Sequence, residues 1–308
     1  MATPLSKIST IVRTFIQWKL LRLRFRAGGW LAPQATVKQA ATMFCTPYPG
    51  SRQRAAMAPT GGARLDTIDA NGMAIAQYTW GDLTQQPYIL FAHGWSSGGA
   101  RVLPWVAPLR AAGYAVVAFD QAAHGRSDGN QTNLPEFIAR LLEVGRRNGP
   151  AAAVVGHSLG GAAAGLALAR GLQADCAVLV APAADPVDAG RRFAQQTGLS
   201  DPLRRRMLEL FEARLSMRFA DLQAERNAPA INRPALIVHD LEDREVPWCE
   251  GERWARYWRR ARLLSTRGLG HHRILDDPAV IAAALAFLQG QAVGDRVVSS
   301  PNLVLGVA

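Results

Sequence analysis

The sequence is poor in cysteine and has no acidic residue in its first 65 positions. Cys45, Cys176 and Cys249 are the three cysteines of 308 residues; they form no ligand motif and cannot all pair. This excludes a disulfide framework and favours a reducing compartment, so we expect a cytoplasmic protein. The composition, 49% hydrophobic and 19% charged, is typical of a globular chain that can bury a sizeable core.

The sequence also lacks a long uninterrupted apolar run. The charge-free stretch 150–169 is broken by several glycines and polar residues, which favours a buried strand followed by a helix over a membrane span. Lys7 and Arg13 divide the region that a secretory signal would need to be apolar. No phosphate-binding or dinucleotide glycine fingerprint and no clustered ligand spacing occurs, so no cofactor and no metal are expected.

The net charge of +11 is concentrated at the N-terminus. Residues 1–65 carry ten Lys/Arg, which leaves 35 − 10 = 25 basic residues against 24 acidic ones in residues 66–308. The body of the protein is therefore nearly neutral, and the charge belongs to an N-terminal extension. Because that extension has no basic motif interleaved with aromatic residues, nucleic-acid binding is not expected.

Residues 1–64 are interpreted as a basic arm and linker. Apolar residues recur at helical spacing from Ile8 to Phe15, as in an amphipathic helix on a membrane surface. Beyond Trp18 the pattern degrades, which favours an arm that is packed on the body or partly disordered over a membrane-bound helix. An organelle transit peptide would have a similar composition. The prolines and glycines of 27–64 predict a wrap around the body or a linker.

From residue 65 to 290, strand and helix patterns alternate, as in a parallel α/β sheet. Asn71-Gly72 predicts a hairpin turn between the first two strands, and Asp277-Pro278 predicts the start of a final helix to Leu288. Residues 291–308 are expected to form an exposed tail. Eight strands are predicted: Leu65–Ala70, Ala74–Trp80, Tyr88–Ala92, Ala115–Phe119, Ala152–Val155, Cys176–Val180, Ala235–His239 and Ala261–Leu264.

The segment 183–232 is too long for an ordinary connection between two strands. It is helical in pattern, with a helix beginning at Asp201-Pro202. An apolar stripe follows, formed by Leu203, Met207, Leu210 and Phe211. We interpret the segment as a lid.

The strongest motif is Gly156-His157-Ser158-Leu159-Gly160, which follows a short apolar strand and precedes a small-residue helix. This Gly-x-Ser-x-Gly pattern presents a serine on a sharp strand-to-helix turn, where side chains at Gly156 and Gly160 would collide. The amide of Leu159, at the helix N-terminus, is directed at an oxyanion formed beside Ser158. A second copy of the pattern, around Ser127, lacks the flanking strand and helix and is not favoured.

A nucleophilic serine needs a base and an acid, which in this arrangement follow it in the order Asp/Glu, then His. The loop Gly268-Leu269-Gly270-His271-His272 lies after the last strand, and we favour His271 over His272 as the base. Asp243, just beyond a strand, is the favoured acid. Its rivals are Asp240, Glu242 and Asp185.

A second oxyanion donor is expected in the loop after the strand Tyr88–Ala92. There the amide of Trp95 is the candidate, with Gly94 permitting the bend and His93 bracing the loop.

Together these motifs resemble the serine-hydrolase branch of the α/β-hydrolase fold superfamily, whose members include esterases, lipases and aminopeptidases. The resemblance covers roughly residues 65–288. It rests on four stretches: His93-Gly94-Trp95, Asp120 to Ser127, Gly156 to Gly161, and Asp243-x-x-Val246-Pro247 with Gly270-His271.

The resemblance implies a mostly parallel eight-stranded sheet with helices on both faces and a helical lid inserted late in the core. It implies Ser158 as nucleophile, Asp243 as acid, His271 as base, and the amides of Trp95 and Leu159 as the oxyanion hole. The chain departs from the family at Asp240, where glycine is usual, and in the doubled histidine.

The expected activity is hydrolysis of a small-molecule carboxylic ester through an acyl-enzyme on Ser158. A lipid-like ester is one candidate substrate. Transfer of the acyl group to another acceptor, and cleavage of a peptide or amide, would use the same residues. A non-catalytic ligand-binding protein is the alternative from another class.

Overall fold

The computed structural model describes the backbone of residues 4–297 and the side chains of residues 18–297. In this part of the chain a single eight-stranded sheet is present, and each strand begins and ends within two residues of its predicted bounds. The strands are β1 (Arg64–Asp69), β2 (Ala74–Trp80), β3 (Tyr88–Ala92), β4 (Ala115–Phe119), β5 (Ala151–His157), β6 (Ala174–Val180), β7 (Ala235–Asp240) and β8 (Ala261–Thr266).

The spatial order of the strands is β1-β2-β4-β3-β5-β6-β7-β8. The pairs β1–β2 and β2–β4 are antiparallel and the remaining pairs are parallel, so the predicted mostly parallel α/β sheet is confirmed. Asn71 and Gly72 join β1 to β2 with φ values of 54° and 75°. Two successive left-handed residues are what a tight hairpin turn needs, which is why Asn-Gly predicted it.

Helices precede, connect and follow the strands along the chain. Within residues 4–297 they are α1 (Pro4–Leu31), α2 (Pro33–Phe44), α3 (Ser51–Ala56), α4 (Leu103–Ala111), α5 (Leu134–Asn148), α6 (Leu159–Ala169), α7 (Pro186–Thr197), α8 (Asp201–Leu215), α9 (Ala224–Asn227), α10 (Trp248–Tyr257), α11 (Gly270–Arg273) and α12 (Pro278–Leu288). None of these helices combines the length and the apolar character that crossing a bilayer requires.

Residues 27–64, expected to be a wrap or linker, contain helices: α1 continues to Leu31, and α2 and α3 follow it. Pro33 begins α2, where the missing amide hydrogen costs nothing. Gly28 and Gly29 allow α1 to pack closely against α2 and α8. A Cβ on Gly28 would lie 2.7 Å from Thr36 Oγ1, and a Cβ on Gly29 would lie 2.8 Å from Leu203 Cδ1. The stripe from Ile8 to Phe15 lies outside the residues whose side chains are described.

The described residues form two compact units, one made of residues up to 45 with 185–221 and the other of residues 46–184 with those from 222 onward. The segment predicted to be a lid thus groups mainly with the N-terminal helices, and residues 46–64 group with the sheet. That residues 183–232 act as a lid stays a prediction.

Aromatic contacts build the first unit. The ring centroid of Phe44 lies 5.2 Å from that of Phe193 and 5.9 Å from that of Phe211, which joins α2 to α7 and α8. Of the predicted stripe, Leu203, Met207 and Phe211 are buried, together with Leu208 rather than Leu210.

The second unit contains the sheet. Every residue of β3 and β4 is buried, which explains their unbroken apolar sequences. Asp277 accepts hydrogen bonds from the amides of Ala279 and Val280 and so caps α12 as predicted. Within the tail, Asp295 pairs with Leu263 of β8, so residue 295 is held against the edge of the sheet.

Candidate active site

Ser158 occupies a strained turn between β5 and α6. Its φ is 56° and its ψ is −122°, a conformation that side-chain-bearing residues rarely adopt. The turn is anchored because the amide of Ser158 donates to Val180 O of β6 at 2.9 Å, while Ser158 O accepts from Ala162 N at 3.1 Å. The hydroxyl is thereby presented at the carboxyl edge of the sheet.

Glycines on both sides of Ser158 make this turn possible. A Cβ on Gly156 would lie 2.5 Å from Gly160 O, and a Cβ on Gly160 would lie 2.2 Å from Ala92 O. Both distances are too short for any side chain, so the glycine spacing follows from the closeness of the backbone.

Three side chains meet at this edge. Ser158 Oγ lies 2.8 Å from His271 Nε2, and His271 Nδ1 lies 2.7 Å from Asp243 Oδ2. They come from elements far apart in the chain: Ser158 follows β5, Asp243 follows β7, and His271 lies in α11 after β8. Parallel strands place their carboxyl ends together, which brings the three loops into contact.

Asp243 is held in its ionised form. Burial opposes ionisation, but hydrogen bonds from His239 and His271, and from the amide of Val246, outweigh it and hold the pKa of Asp243 well below its usual range. A carboxylate can only accept, so His271 must carry its proton on Nδ1. The lone pair of His271 Nε2 then faces the hydroxyl of Ser158, as deprotonation of that hydroxyl requires.

The doubled histidine is resolved by geometry. His271 is buried, and its carbonyl accepts from His157 Nε2 at 2.9 Å, which fixes the backbone beneath the ring. His272 is exposed and lies 2.8 Å from Glu245, which is the main cause of its raised pKa. Of the two, the structure brings His271 to Ser158.

The rival carboxylates have other partners. Asp240 accepts from Thr266 Oγ1 at 2.7 Å and from the amides of Leu269 at 3.0 Å and Glu242 at 2.9 Å. It therefore ties β8 and the loop before His271 to the end of β7, a role that glycine could not fill. Asp185 accepts a hydrogen bond from the amide of Val187 and caps the N-terminus of α7.

Gly94 lies against the nucleophile. A Cβ there would be 2.9 Å from Ser158 Cβ and 3.2 Å from His157 Nδ1. Trp95 follows Gly94 directly in this loop, and Leu159 is the first residue of α6. Both remain the predicted oxyanion donors.

Two buried histidines hold this loop. His93 Nε2 accepts from Gln121 N at 2.9 Å and its Nδ1 donates to Gly94 O at 2.7 Å. His124 Nε2 accepts from Ser96 N at 2.9 Å and its Nδ1 donates to Ala122 O at 2.9 Å. Each ring is neutral and uses both nitrogens, so neither has a lone pair left for a metal.

Burial explains why these rings are neutral. It lowers the pKa of His93 to about 4, and burial together with the nearby His93 lowers the pKa of His124 to about 3. His157 is also buried, and its pKa is lowered to about 3 by burial and by the neighbouring His271. Protonation of any of the three would bury a charge in the base of the site.

Ser127, the serine of the second Gly-x-Ser-x-Gly, has a structural role. Its hydroxyl donates to Asp120 O at 2.6 Å and accepts from Ala76 N at 2.9 Å. The side chain is buried, so the hydroxyl is committed to joining β2 to the loop after β4.

Sequence reasoning missed two supports of the site, His157 and His239. His239 Nε2 lies 2.9 Å from Val246 O and 3.4 Å from Asp243 Oδ2. The signal was a histidine at or next to the carboxyl end of a buried strand, which occurs at both. Among the residues of the described range, no group of His, Cys, Asp or Glu is arranged to hold a metal ion.

The geometry agrees with comparisons to known proteins. A family model described as the alpha/beta hydrolase family matches residues 89–284. No curated protein matches the chain.

Three similar solved structures show the same fold. A membrane phospholipase A, described as a bacterial virulence factor, is 18% identical over 90% of this chain and 98% of its own, with a TM-score of 0.59. Est1E from Butyrivibrio proteoclasticus, bound to ferulic acid, is 20% identical over 73% and 98%, with a TM-score of 0.58. The thioesterase domain from the curacin biosynthetic pathway is 18% identical over 74% and 99%, with a TM-score of 0.55. With the family match spanning more than half of its length, the chain belongs to the α/β-hydrolase superfamily.

Proposed function

We propose that the protein is a serine-dependent hydrolase of carboxylic esters. The observation that carries the proposal is the pair of contacts that joins Ser158 Oγ to His271 Nε2 at 2.8 Å and His271 Nδ1 to Asp243 at 2.7 Å. The similarity in fold to proteins described as a phospholipase and a thioesterase domain supports acyl chemistry as the reaction class.

In the proposed first half-reaction, Ser158 Oγ attacks the ester carbonyl carbon as its proton passes to His271 Nε2. Asp243 stabilises the resulting imidazolium through Nδ1–H. The amides of Trp95 and Leu159 donate to the oxyanion of the tetrahedral intermediate. Collapse expels the alkoxide, which takes the proton from His271, and leaves an ester between Ser158 and the acyl group.

In the second half-reaction, His271 removes a proton from water, and the oxygen attacks the acyl carbon. The second tetrahedral intermediate collapses to the free acid, and Ser158 recovers its proton from His271. No step needs a redox group, because each half-reaction transfers only an acyl group and protons.

The test is steady-state hydrolysis of p-nitrophenyl butyrate by Ser158→Ala. Because the nucleophile is lost, kcat should fall by roughly 10⁴-fold or more. Ser127→Ala is a matched control from the second Gly-x-Ser-x-Gly and should keep kcat within about threefold, because its hydroxyl bonds only to the backbone. Wild-type kcat in Ser158→Ala would refute the proposal.

Two further measurements define the reaction more finely. The proposal includes a lipid-like acyl group, so kcat/KM should rise along a series of p-nitrophenyl esters from butyrate to palmitate. Transfer to an acceptor would use the same acyl-enzyme, and a competing alcohol or amine in the assay, with product analysis, separates transfer from hydrolysis.

A further inference from the structure

The last three turns of α1 expose large apolar side chains. Leu20, Leu23, Trp30 and Leu31 are 60%, 64%, 90% and 79% exposed. At about 100° per residue they share one face of the helix with the exposed Ala27, across an arc of about 100°. We call these five residues the α1 apolar face.

The opposite side of α1 is the side that packs. Phe25 is 1% exposed. Gly29 faces Leu203 of α8, and Arg22 donates to Gln195 O of α7 at 3.1 Å. The α1 apolar face therefore lies on the far side of the helix from the contacts that hold α1 in its own unit, and packing does not explain it.

Positive charge borders the α1 apolar face on both sides. By helical position Lys19 and Arg26 lie beside Trp30, and Arg24 lies beside Leu31; all three are exposed. Residues 1–65 contain no acidic side chain, so α1 itself contributes only positive charge. An apolar strip bordered by cations is complementary to a surface with an apolar interior and anionic headgroups.

The same charges argue against a second copy of the chain as the occupant. A two-fold dimer through this face would set each patch against itself. Lys19, Arg24 and Arg26 would then face the same cations of the other copy across a desolvated contact, which is unfavourable.

The geometry points to a membrane-docking surface on α1, in which the α1 apolar face enters the headgroup region of an anionic bilayer. Trp30 lies at the depth where an indole ring is favoured, between acyl chains and headgroups. Arg24 and Arg26 extend to the lipid phosphates, and the helix axis lies along the membrane surface. The surface is distinct from the active site and does not depend on the proposed hydrolysis.

Vesicle cosedimentation of the full chain tests this surface. Vesicles of an equal mixture of phosphatidylcholine and phosphatidylglycerol are compared with phosphatidylcholine alone. Wild type should bind the anionic vesicles more tightly, and the difference should shrink with added salt because exposed charges are screened.

Two double variants separate the apolar and the charged contributions. Trp30→Ser with Leu31→Ser should weaken binding by about tenfold or more, since it removes two inserted side chains. Arg24→Ser with Arg26→Ser should weaken binding by about 25-fold at low salt, from about fivefold for each charge near an anionic surface. Met57→Ser is the matched control: Met57 is 75% exposed but lies outside α1, so its loss should leave binding unchanged.

Circular dichroism of each variant shows whether the fold is kept. We expect it to be kept, because all the substituted positions are exposed. Anionic-vesicle binding by the Trp30/Leu31 variant within twofold of wild type would overturn the proposal. So would equal, salt-independent binding to both vesicle types. A wild type that ignores vesicles but sediments as a dimer, which the same variant dissociates, would assign the face to self-association instead.

Discussion

The three neutral histidines under the site should make the fold labile to mild acid. His93, His124 and His157 are held neutral, with pKa values lowered to about 4, 3 and 3 by burial first of all. An unfolded histidine has a pKa of about 6.5. The folded values lie below it, so the stabilisation is complete above pH of about 6.5 and is lost as pH falls toward the folded values.

The magnitude follows from linkage. Between pH 7.5 and 5.5 each histidine should reduce the free energy of unfolding by about 1.4 kcal/mol, or about 4 kcal/mol for the three. Two groups act in the opposite direction. Burial raises the pKa of Asp120, and the hydrogen bond to Glu245 raises the pKa of the exposed His272. We therefore expect a net fall of about 3–4 kcal/mol, a large share of a typical domain's stability.

Urea unfolding followed by circular dichroism, at the two pH values and one ionic strength, measures this fall. In His124→Gln the fall should be smaller by about 1.4 kcal/mol, because one titrating ring is gone. His272→Gln, which removes an exposed histidine, should not reduce it. A fall below about 1 kcal/mol in wild type, or one left unchanged by His124→Gln, would refute the assignment of neutral buried rings.

Three substitutions and one control, His272→Gln, test the geometry of the site. Gly94→Ala places a Cβ 2.9 Å from Ser158 Cβ, so the loop must shift. We expect kcat/KM to fall by about 10²–10³, as for a lost oxyanion donor, and wild-type kcat/KM would contradict the prediction that the Trp95 amide is such a donor. His271→Gln should lower kcat by about 10⁴ while His272→Gln stays within about threefold, and the reverse ranking would move the base to His272. Asp240→Asn should lower the free energy of unfolding, measured by urea titration at pH 7.5, by about 1–3 kcal/mol, because it alters a buried acceptor of three hydrogen bonds. An unchanged free energy of unfolding would show that Asp240 does not fasten the loop before His271.

The central strands of the sheet could be predicted closely because they are buried on both faces. Strands such as β3 and β4 are short apolar runs bounded by turn residues, a pattern with few alternatives. The meeting of Ser158, Asp243 and His271 was also predictable, since each follows the carboxyl end of a parallel strand. The local sequence was therefore enough to predict those features in which the course of the backbone determines which residues meet.

The N-terminal helices could not be predicted in the same way. Gly28, Gly29 and Pro33 indicate a break in the chain, yet the glycines admit Thr36 and Leu203 to close packing. The contact of Gly29 with Leu203 joins α1 to a residue about 170 positions away in α8, which no local window contains. The exposed face of α1 was equally hidden, because its buried side had first to be known.

Asp240 illustrates a different limit. As a carboxylate three positions before Asp243, it was a rival acid on sequence alone. Only its hydrogen bonds to Thr266 and Leu269 show that it fastens the loop before the base. The choice between adjacent carboxylates depended on directions of side chains, which sequence does not carry.

The most direct test of the account is to identify the residue that a fluorophosphonate probe modifies, by peptide mass spectrometry of the labelled protein. A serine hydroxyl activated by a neutral imidazole reacts with such probes, so the account predicts one adduct, on Ser158, and none in Ser158→Ala or His271→Gln. An adduct on Ser127, or equal labelling of wild type and Ser158→Ala, would contradict it.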